Sequence, residues 1–261
     1  MYGVCVLPVV ACRAEPSEKS EMVTQLLFGE WVEILESYQQ WMKCRSVYDR
    51  YVFWVSSLQI EPVEDYDKNK IGQLTGYLLP NPVNLLIPKD KDQPNLVVPS
   101  GSRVWMNEDG QPVLHRLVFE NEDLDLIPED KLIDDRNSIL AFAIQFLGTP
   151  YLWGGRTLMG MDCSGFTQLV YKLCNIFLPR DAYQQAEMGE TVNFLEEALP
   201  GDLAFFDNEQ GRIVHVGILM ENFKIIHCSG KVRIDDIDHY GIYNRELKKY
   251  THHLRIIKKM L

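Results

Sequence analysis

The segment MDCSGFTQLVYKLC, residues Met161 to Cys174, predicts an amphipathic helix with a cysteine in its first turn. Just before the apolar face stand Asp162, a residue type that caps helices, and then Cys163, Ser164 and Gly165. From Phe166 onward, apolar residues recur at spacings that trace one side of an α-helix. The members of that side are Phe166, Leu169, Val170, Leu173, Cys174 and Phe177.

Cys163 is a candidate nucleophile because of its position in this helix. The first turn of a helix presents unpaired backbone N–H groups and the positive end of the helix dipole. Both favour a thiolate, so we expect the pKa of Cys163 to fall below its ordinary value of about 8.5. The alternative is that Cys163 only packs at a helix end, and the helix alone does not decide between the two.

Length and composition are those of an ordinary globular protein with more than one domain. A chain of 261 residues predicts two domains, or three if some are small. The net charge of −11 argues against nucleic-acid binding, which needs clustered Lys and Arg, and against docking to anionic polymers by charge. The six cysteines show no disulfide-framework spacing and no C-x-x-C pair, and free thiols fit a reducing compartment.

The N-terminal residues 1–12 are apolar, and residues 9–12 are similar to a lipoprotein cleavage site. A basic n-region is missing, however, and Pro8 interrupts a stretch already too short for a signal core. We interpret this stretch as a first strand and expect a cytoplasmic protein, with the periplasm or cell envelope as the alternative. No stretch approaches the roughly 20 apolar residues of a membrane span, so no integral membrane segment is expected.

Residues 1–60 are predicted to form a small all-β domain. Short β-branched or aromatic runs alternate with turns such as Phe28-Gly-Glu30 and Tyr48-Asp-Arg50. Short strands at this spacing suit a small barrel. The predicted strands are 4–7, 9–12, 22–27, 31–35, 41–44 and 51–55.

Residues 61–128 are predicted to form a second, divergent β-barrel together with linkers. Residues 61–67 are an acidic, proline-containing connector, and the acidic residues 120–135 lead into the last domain. We expect both charged runs to be solvated linkers. The predicted strands between them are 75–79, 83–87, 96–98, 103–106 and 113–119.

Residues 129–261 are predicted to form an α+β domain. A helix is expected over residues 139–147, capped by Asn137 or Ser138 and closed by Gly148 with Pro150. After the cysteine helix we expect a short helical piece within residues 178–185, then strands at 213–220 and 223–228. Residues 254–257 are expected to return as a sheet edge. Helices gathered before an antiparallel sheet are typical of the α+β class.

Two histidines strengthen the nucleophile hypothesis. His215 and His227 lie on runs that predict a hairpin folded at Glu221, which is the midpoint between them. Such a turn brings them level on one face of the sheet, with about 5 Å between Cβ atoms. A thiolate nucleophile needs a general base, and that base needs a third group to hold its tautomer. Cys163, His215 and His227 supply all three.

Spacing alone leaves two alternatives open. The three side chains could be unrelated, or they could bind zinc, although no fourth ligand is evident. The remaining histidines lack such a context, and we interpret them as ordinary surface or linker residues: His115, His239, His252 and His253.

Six motifs, in order, resemble those of the NlpC-type cysteine peptidases. They are Tyr151-x-Trp-Gly-Gly-Arg156, Asp162-Cys-Ser-Gly-Phe166, Leu178-Pro-Arg180, Pro200-Gly-Asp-Leu-x-Phe-Phe206, His215-Val-Gly-Ile218 and Ile226-His227. The run from Arg13 to Val55 resembles a bacterial SH3-like domain. The combination is similar to γ-D-glutamyl-L-diamino-acid endopeptidases that process murein peptides. It implies a papain-like NlpC-type catalytic domain at residues 129–261, preceded by two small SH3-like barrels at residues 1–60 and 61–128.

The resemblance also implies roles for individual residues. Cys163 matches the nucleophile, His215 the base and His227 the third member of the triad. Tyr151 matches a tyrosine whose hydroxyl joins the Cys163 backbone N–H at the oxyanion position. No metal or other cofactor is implied.

The substrate-binding roles come from the murein-recycling subgroup, which favours a free N-terminal L-alanine. There an acidic residue before the cysteine holds the substrate ammonium, and a glutamate and a tyrosine of the first SH3-like domain close the pocket. Ala182 and Tyr183 stand where relatives often have a serine, which puts the contacts at that turn in doubt. The matching substrate-binding residues here are Asp162, Ser164, Glu30, Tyr51, Arg180 and Asp181.

The implied activity is hydrolysis of the γ-D-glutamyl–diamino acid bond in released murein peptides of the form L-Ala-γ-D-Glu-diamino acid. Each charge-assisted hydrogen bond to the ammonium is worth roughly 1.5–3 kcal/mol, or about ten- to a hundredfold in discrimination. We expect a monomer that binds neither nucleic acid nor membrane. Alternatives are an exported hydrolase of intact peptidoglycan, a non-catalytic cell-wall-binding protein, and a thiol acyltransferase on the same scaffold.

Overall fold

The structure is a computed structural model that describes residues 1–63, 76–121, 124–133 and 135–261. The chain divides into two compact units. The first comprises Met1–Lys131 and Trp153–Leu158, and the second comprises Leu132–Leu152 and Met159–Leu261. Among the described residues, no helix has the length and apolar character needed to cross a membrane.

The first unit begins with a seven-stranded antiparallel sheet, in the order β3-β2-β6-β5-β4-β1-β7. Alternating side chains of its strands, among them Val10, Cys44 and Phe53, are fully or almost fully buried and form a core. This confirms the predicted all-β character. The strands are β1 (Tyr2–Val4), β2 (Val9–Arg13), β3 (Met22–Leu27), β4 (Trp31–Tyr38), β5 (Trp41–Ser46), β6 (Val52–Ser56) and β7 (Glu61–Val63).

The second β-rich stretch forms a five-stranded sheet, in the order β13-β12-β11-β8-β14, and a separate β10-β9 hairpin. Its buried residues share one apolar cluster with residues of the first sheet, and the rings of Trp31 and Trp105 meet edge to face at 6.0 Å. The strands are β8 (Gly76–Leu78), β9 (Val83–Leu86), β10 (Leu96–Pro99), β11 (Arg103–Met106), β12 (Pro112–Leu114), β13 (Leu117–Val118) and β14 (Ile127–Pro128).

The acidic runs differ from the predicted solvated linkers. The start of the first run forms strand β7, which pairs with β1. In the second run, β14 pairs with β8, and Glu129 accepts a 2.8 Å hydrogen bond from Nε of Arg103. These pairings could not be predicted from the acidic composition of the two runs, because each partner strand is distant in sequence. Some residues of the predicted connectors and strands lie outside the described residues, so the structure does not test the predictions there. They are residues 64–67 and 75, and positions 122, 123 and 134.

The second unit contains three α-helices: α1 (Arg136–Ile144), α2 (Cys163–Leu173) and α3 (Ala182–Gln185). Helix α1 begins earlier than predicted, because its cap is Asp135 rather than Asn137 or Ser138. The Asp135 carboxylate accepts hydrogen bonds from the backbone N–H groups of Asn137 and Ser138 at 3.0 and 3.1 Å. Helix α2 begins at Cys163, as predicted.

A seven-stranded antiparallel sheet completes the second unit, in the order β17-β23-β18-β19-β20-β21-β22. Strand β23 also pairs with β22, which closes six of the strands into a barrel. The prediction that residues 254–257 form a sheet edge is therefore wrong: β23 has eleven residues and three neighbouring strands. The strands of this part are β16 (Gly160–Met161), β17 (Glu190–Val192), β18 (Leu203–Asp207), β19 (Ile213–Met220), β20 (Lys224–Ser229), β21 (Lys231–Asp238), β22 (Gly241–Asn244) and β23 (Lys249–Lys259). Strand β15 (Arg156–Thr157) belongs to the first unit.

Candidate active site

Cys163 is the first residue of α2, and its side chain is 7% exposed. The helix begins there because the Asp162 carboxylate caps it, accepting the backbone N–H of Gly165 at 2.7 Å. The backbone N–H groups of Ser164 and Val216 lie near enough to the Cys163 sulfur to favour its thiolate form. Because Val216 directly follows His215 in β19, the thiol lies against the strand that carries the candidate base.

The expectation of a lowered Cys163 pKa is wrong. Burial raises the pKa of the thiol to about 12, and the adjacent Asp162 carboxylate adds to the rise. The two backbone N–H groups and Arg180 act in the opposite direction but are outweighed. The helix N-terminus is present as predicted, but desolvation of the sulfur opposes it and is the larger effect.

His215 and His227 are brought together with a register that differs from the prediction. Gly217 pairs with His227, so the turn is centred on Asn222 rather than Glu221, and His215 lies diagonally from His227. A shift of two residues keeps both rings on one face. Nε2 of His215 and Nδ1 of His227 are 2.8 Å apart.

Gly217 makes this diagonal contact possible. A Cβ atom at Gly217 would lie 2.8 Å from the Cβ of His227, which is closer than real Cβ contacts. Without a side chain at Gly217, the His227 ring has the space to reach His215. Packing against His227 therefore explains why a glycine follows two residues after His215 in the pattern His-Val-Gly.

Asp235 and Arg233 extend the histidine pair, and sequence reasoning missed both. Nε2 of His227 lies 3.1 Å from an Asp235 carboxylate oxygen. Nη2 of Arg233 donates to the other oxygen at 2.9 Å, and its Nε forms an ion pair with the first at 2.7 Å. All three side chains meet because β21 pairs with β20. The only signal in the sequence was an arginine and an aspartate two residues apart, which share one face of a strand.

His252 is not the ordinary surface or linker residue that the sequence analysis assumed. It is half-buried on β23, and its ring stacks on the ring of His215 with centroids 4.1 Å apart and an interplanar angle of 26°. Its Nδ1 lies 2.9 Å from Oγ1 of Thr251. We refer to His215, His227 and His252 as the histidine cluster.

Burial keeps the imidazoles of the cluster uncharged. Desolvation and the neighbouring histidines hold the pKa of His215 well below its ordinary value. Desolvation lowers the pKa of His227 against the opposing pull of Asp235, and it lowers the pKa of His252 to about 4. Cys163 and His215 are therefore a neutral thiol and a neutral imidazole near pH 7, rather than an ion pair.

Tyr151 lies near enough to Cys163 for the thiol to affect the pKa of its hydroxyl. Partial burial raises the pKa of its hydroxyl, and the nearby Cys163 and Asp162 raise it further. Its backbone N–H donates to the carbonyl of Gly230 at 2.9 Å, which anchors the residue beside β21. The hydroxyl therefore keeps its proton and can act as a hydrogen-bond donor.

Asp162 and Arg180 form a buried, bidentate ion pair. Two guanidinium nitrogens of Arg180 lie 3.0 and 2.5 Å from the two Asp162 oxygens, and Nη1 also donates to Oγ of Ser164 at 2.9 Å. Asp181, the next residue, caps α3, and its backbone N–H donates to the Gln184 side chain at 3.2 Å. Three of the predicted substrate-binding residues, Asp162, Ser164 and Arg180, thus form one network beside Cys163.

Glu30 and Tyr51 belong to the first unit. Glu30 is 4% exposed and pairs with both terminal nitrogens of Arg156 at 3.0 Å, and it also accepts the backbone N–H of Leu27. Tyr51 is half-buried beside the core of the first sheet, and its backbone N–H donates to Asp49 at 3.1 Å. Their substrate-binding roles remain predictions.

Comparison with known proteins identifies two domains in the chain. Residues 148–253 match the NlpC/P60 family, and residues 12–60 match the bacterial dipeptidyl-peptidase Sh3 domain. A solved NlpC/P60 family protein from Bacillus cereus ATCC 10987 covers 100% of both chains with a TM-score of 0.86 and 19% identity, so it shares the fold. The predicted fold class is confirmed, whereas the individual domain boundaries stay predictions.

Curated relatives match part of the chain. It is 39% identical over 105 residues to the γ-D-glutamyl-L-lysine dipeptidyl-peptidase of Bacillus subtilis strain 168, covering 40% of this chain and 35% of that protein. It is 44% identical over 84 residues to the probable endopeptidase NlpC of Escherichia coli K12, covering 31% and 54%. The matches thus span between a third and somewhat over half of these relatives. Residues 148–253 are thus similar to the NlpC/P60 family.

Proposed function

We propose that this protein is a cysteine endopeptidase that hydrolyses the γ-D-glutamyl–diamino acid bond of murein peptides. One observation carries the proposal: Cys163 begins a helix beside Val216 of β19, and Nε2 of the preceding residue, His215, lies 2.8 Å from Nδ1 of His227. This is the arrangement that a nucleophile, a base and an orienting group require. The names of the relatives, γ-D-glutamyl-L-lysine dipeptidyl-peptidases among them, support the substrate class.

The reaction begins from the neutral pair. Because Nε2 of His215 faces His227, its Nδ1 is the atom that takes the thiol proton as the Cys163 sulfur attacks the γ-glutamyl carbonyl carbon. The positive charge that develops on His215 is stabilised through His227 and the Asp235 carboxylate. The Tyr151 hydroxyl and the Cys163 backbone N–H are the proposed donors to the oxyanion.

The second half of the reaction returns the enzyme to its starting state. The protonated His215 gives its proton to the departing amine of the diamino acid, and the C–N bond breaks to leave a thioester on Cys163. Water then attacks the thioester while His215 takes a proton from it. The thiolate leaves, regains that proton and releases the γ-D-glutamyl product.

We further propose that the substrate carries a free N-terminal L-alanine, whose ammonium is held by Asp162. Asp162 already pairs with the buried Arg180. The ammonium ion would therefore add to an existing ion pair rather than meet an uncompensated carboxylate. We therefore expect the free peptide to be favoured over an N-blocked peptide by about tenfold, which is the lower end of the ten- to hundredfold range given above.

A role in recycling released peptides in the cytoplasm, as a monomer, is part of the proposal. Its support is that all six cysteines are free and buried, which fits a reducing compartment. The competing function is hydrolysis of intact peptidoglycan outside the cytoplasm. Relatives named probable endopeptidase NlpC and p60 are similar to this chain as well, and those names do not specify a released peptide.

The test is mass spectrometry of L-Ala-γ-D-Glu-L-Lys and its diaminopimelate counterpart, each free and N-acylated, after incubation with the protein. We expect L-Ala-D-Glu and the free diamino acid from the unblocked peptides, and no turnover by Cys163→Ala. Equal cleavage of free and muramyl-capped peptides would favour the wall hydrolase. Turnover by Cys163→Ala above a few per cent would refute the nucleophile. Capture of the acyl group by an added amine instead of water would indicate a transferase.

A further inference from the structure

The histidine cluster has the composition of a metal site. Each of His215, His227 and His252 offers one ring nitrogen, and these three atoms lie within 4.8 Å of one another. Imidazole nitrogens are ligands that Zn²⁺ and similar ions prefer. We propose that the cluster binds a divalent transition-metal ion such as Zn²⁺, and that the bound ion inhibits the peptidase.

The neighbours of the cluster fix the tautomers that a metal needs. Asp235 accepts from Nε2 of His227 at 3.1 Å, which leaves Nδ1 of His227 unprotonated and directed at the cluster. Thr251 lies 2.9 Å from Nδ1 of His252, which leaves Nε2 as the ligand atom. A carboxylate or hydroxyl on the far nitrogen is the usual support of a metal-bound histidine.

The distances and ring planes require the rings to move when an ion binds. A tetrahedral ion with Zn–N bonds of about 2.0–2.1 Å holds its ligand nitrogens about 3.3 Å apart. Nε2 of His215 and Nδ1 of His227 are 2.8 Å apart and must separate slightly, whereas the widest nitrogen pair, at most 4.8 Å, must close. His252 stacks on His215 with an interplanar angle of 26°, so its ring must turn out of the stack before Nε2 points at an ion shared with the pair. Water supplies the fourth ligand, as in other three-histidine sites.

Metal binding and base catalysis need different tautomers of His215. In the peptidase, His215 carries its proton on Nε2, facing His227, and uses Nδ1 as the base. A metal bound at Nε2 forces that proton onto Nδ1, so the ring can no longer take the thiol proton. No proton or electron is gained or lost overall. The inhibition rests on the proposed function, whereas the metal binding does not.

The experiment measures Zn²⁺ affinity by calorimetry and Co²⁺ coordination by visible absorption, with full-length, metal-stripped protein. Cys163→Ala should bind both ions as tightly as the wild type, because the sulfur is not a ligand. His252→Phe, which keeps a stacked ring but removes a ligand, should lower the affinity by at least the roughly 10–100-fold that loss of a supporting group costs. Asp235→Asn should lower it by about 10–100-fold.

The matched control is His239→Phe, which alters an exposed histidine and should leave the affinity unchanged. Zn²⁺ should inhibit the wild type reversibly, with a chelator restoring activity. Loss of binding in Cys163→Ala together with full binding in His252→Phe would overturn the proposal in favour of a thiol site. So would the absence of a tetrahedral Co²⁺ spectrum in Cys163→Ala.

Two measurements keep the test valid if a variant folds poorly or the protein proves inactive. Anomalous diffraction from Zn²⁺-soaked wild-type crystals should give one peak within bonding distance of the three rings, and a peak elsewhere alone would contradict the proposal. Affinities measured with Cys163→Ala do not depend on turnover. If the peptidase assay fails, the metal site can therefore still be tested by these affinities and by the diffraction experiment.

Discussion

Replacing Asp235 with asparagine tests the relay behind His215. The carboxylate accepts from Nε2 of His227 at 3.1 Å, while two Arg233 nitrogens hold it at 2.7 and 2.9 Å. Asparagine keeps the shape and can still accept one neutral hydrogen bond from His227. What the substitution removes is the negative charge that stabilises, through His227, the imidazolium that His215 becomes in the transition state.

The expected loss follows from the difference between charged and neutral hydrogen bonds. A bond to a charged group contributes about 1.5–3 kcal/mol and a neutral one about 0.5–1.5 kcal/mol. The difference, about 1–2 kcal/mol, corresponds to a roughly 5- to 30-fold fall in kcat/KM. Because the charge on His215 exists only during the reaction, kcat should fall by the same factor while KM stays constant.

The assay is steady-state hydrolysis of L-Ala-γ-D-Glu-L-Lys by wild type and variant, with thermal unfolding recorded for both. Asp236→Asn is the matched control, because Asp236 is the next residue of β21 and instead pairs with Lys224 and Arg245. It should stay within about twofold of the wild type. A wild-type kcat for Asp235→Asn, or a loss confined to KM, would refute the relay.

Three further results are expected. The rate of Cys163 alkylation by iodoacetamide should rise continuously between pH 6 and pH 10, because a raised pKa leaves the thiol protonated throughout that range and each pH step adds thiolate. Tyr151→Phe should lower kcat by about 10²–10³-fold, as loss of an oxyanion donor does, in a single-turnover assay. Arg156→Met should destabilise the protein by about 3–5 kcal/mol in urea unfolding, because it removes the guanidinium that compensates the buried Glu30 carboxylate.

Each of these has its own control. An alkylation rate that is already constant from pH 6 upward would indicate a preformed thiolate and contradict the neutral pair. Tyr240→Phe alters an exposed tyrosine and should leave kcat unchanged, so equal losses in both tyrosine variants would remove the oxyanion argument. Combining Arg156→Met with Glu30→Gln should recover part of the lost stability, and no recovery would mean that the arginine stabilises by packing alone.

The amino-acid sequence determined the features that depend on local pattern. The apolar period and the capping type of Asp162 predicted α2 and its first residue, Cys163, because helix starts are encoded within a few residues. Alternation along two short runs placed His215 and His227 on one face of neighbouring strands. The register was off by two positions, because the turn residues did not show which of them would adopt a positive φ.

Only the tertiary structure decided the electrostatics of the site. Asp235 and His252 reach the histidines from β21 and β23, whose order in the sheet no local pattern encodes. The thiol pKa likewise depends on burial, which sums the desolvation from every element packed around the sulfur and here outweighs the helix N-terminus. Local sequence could therefore supply the nucleophile and its base, but their charge states depend on how the whole unit closes around them.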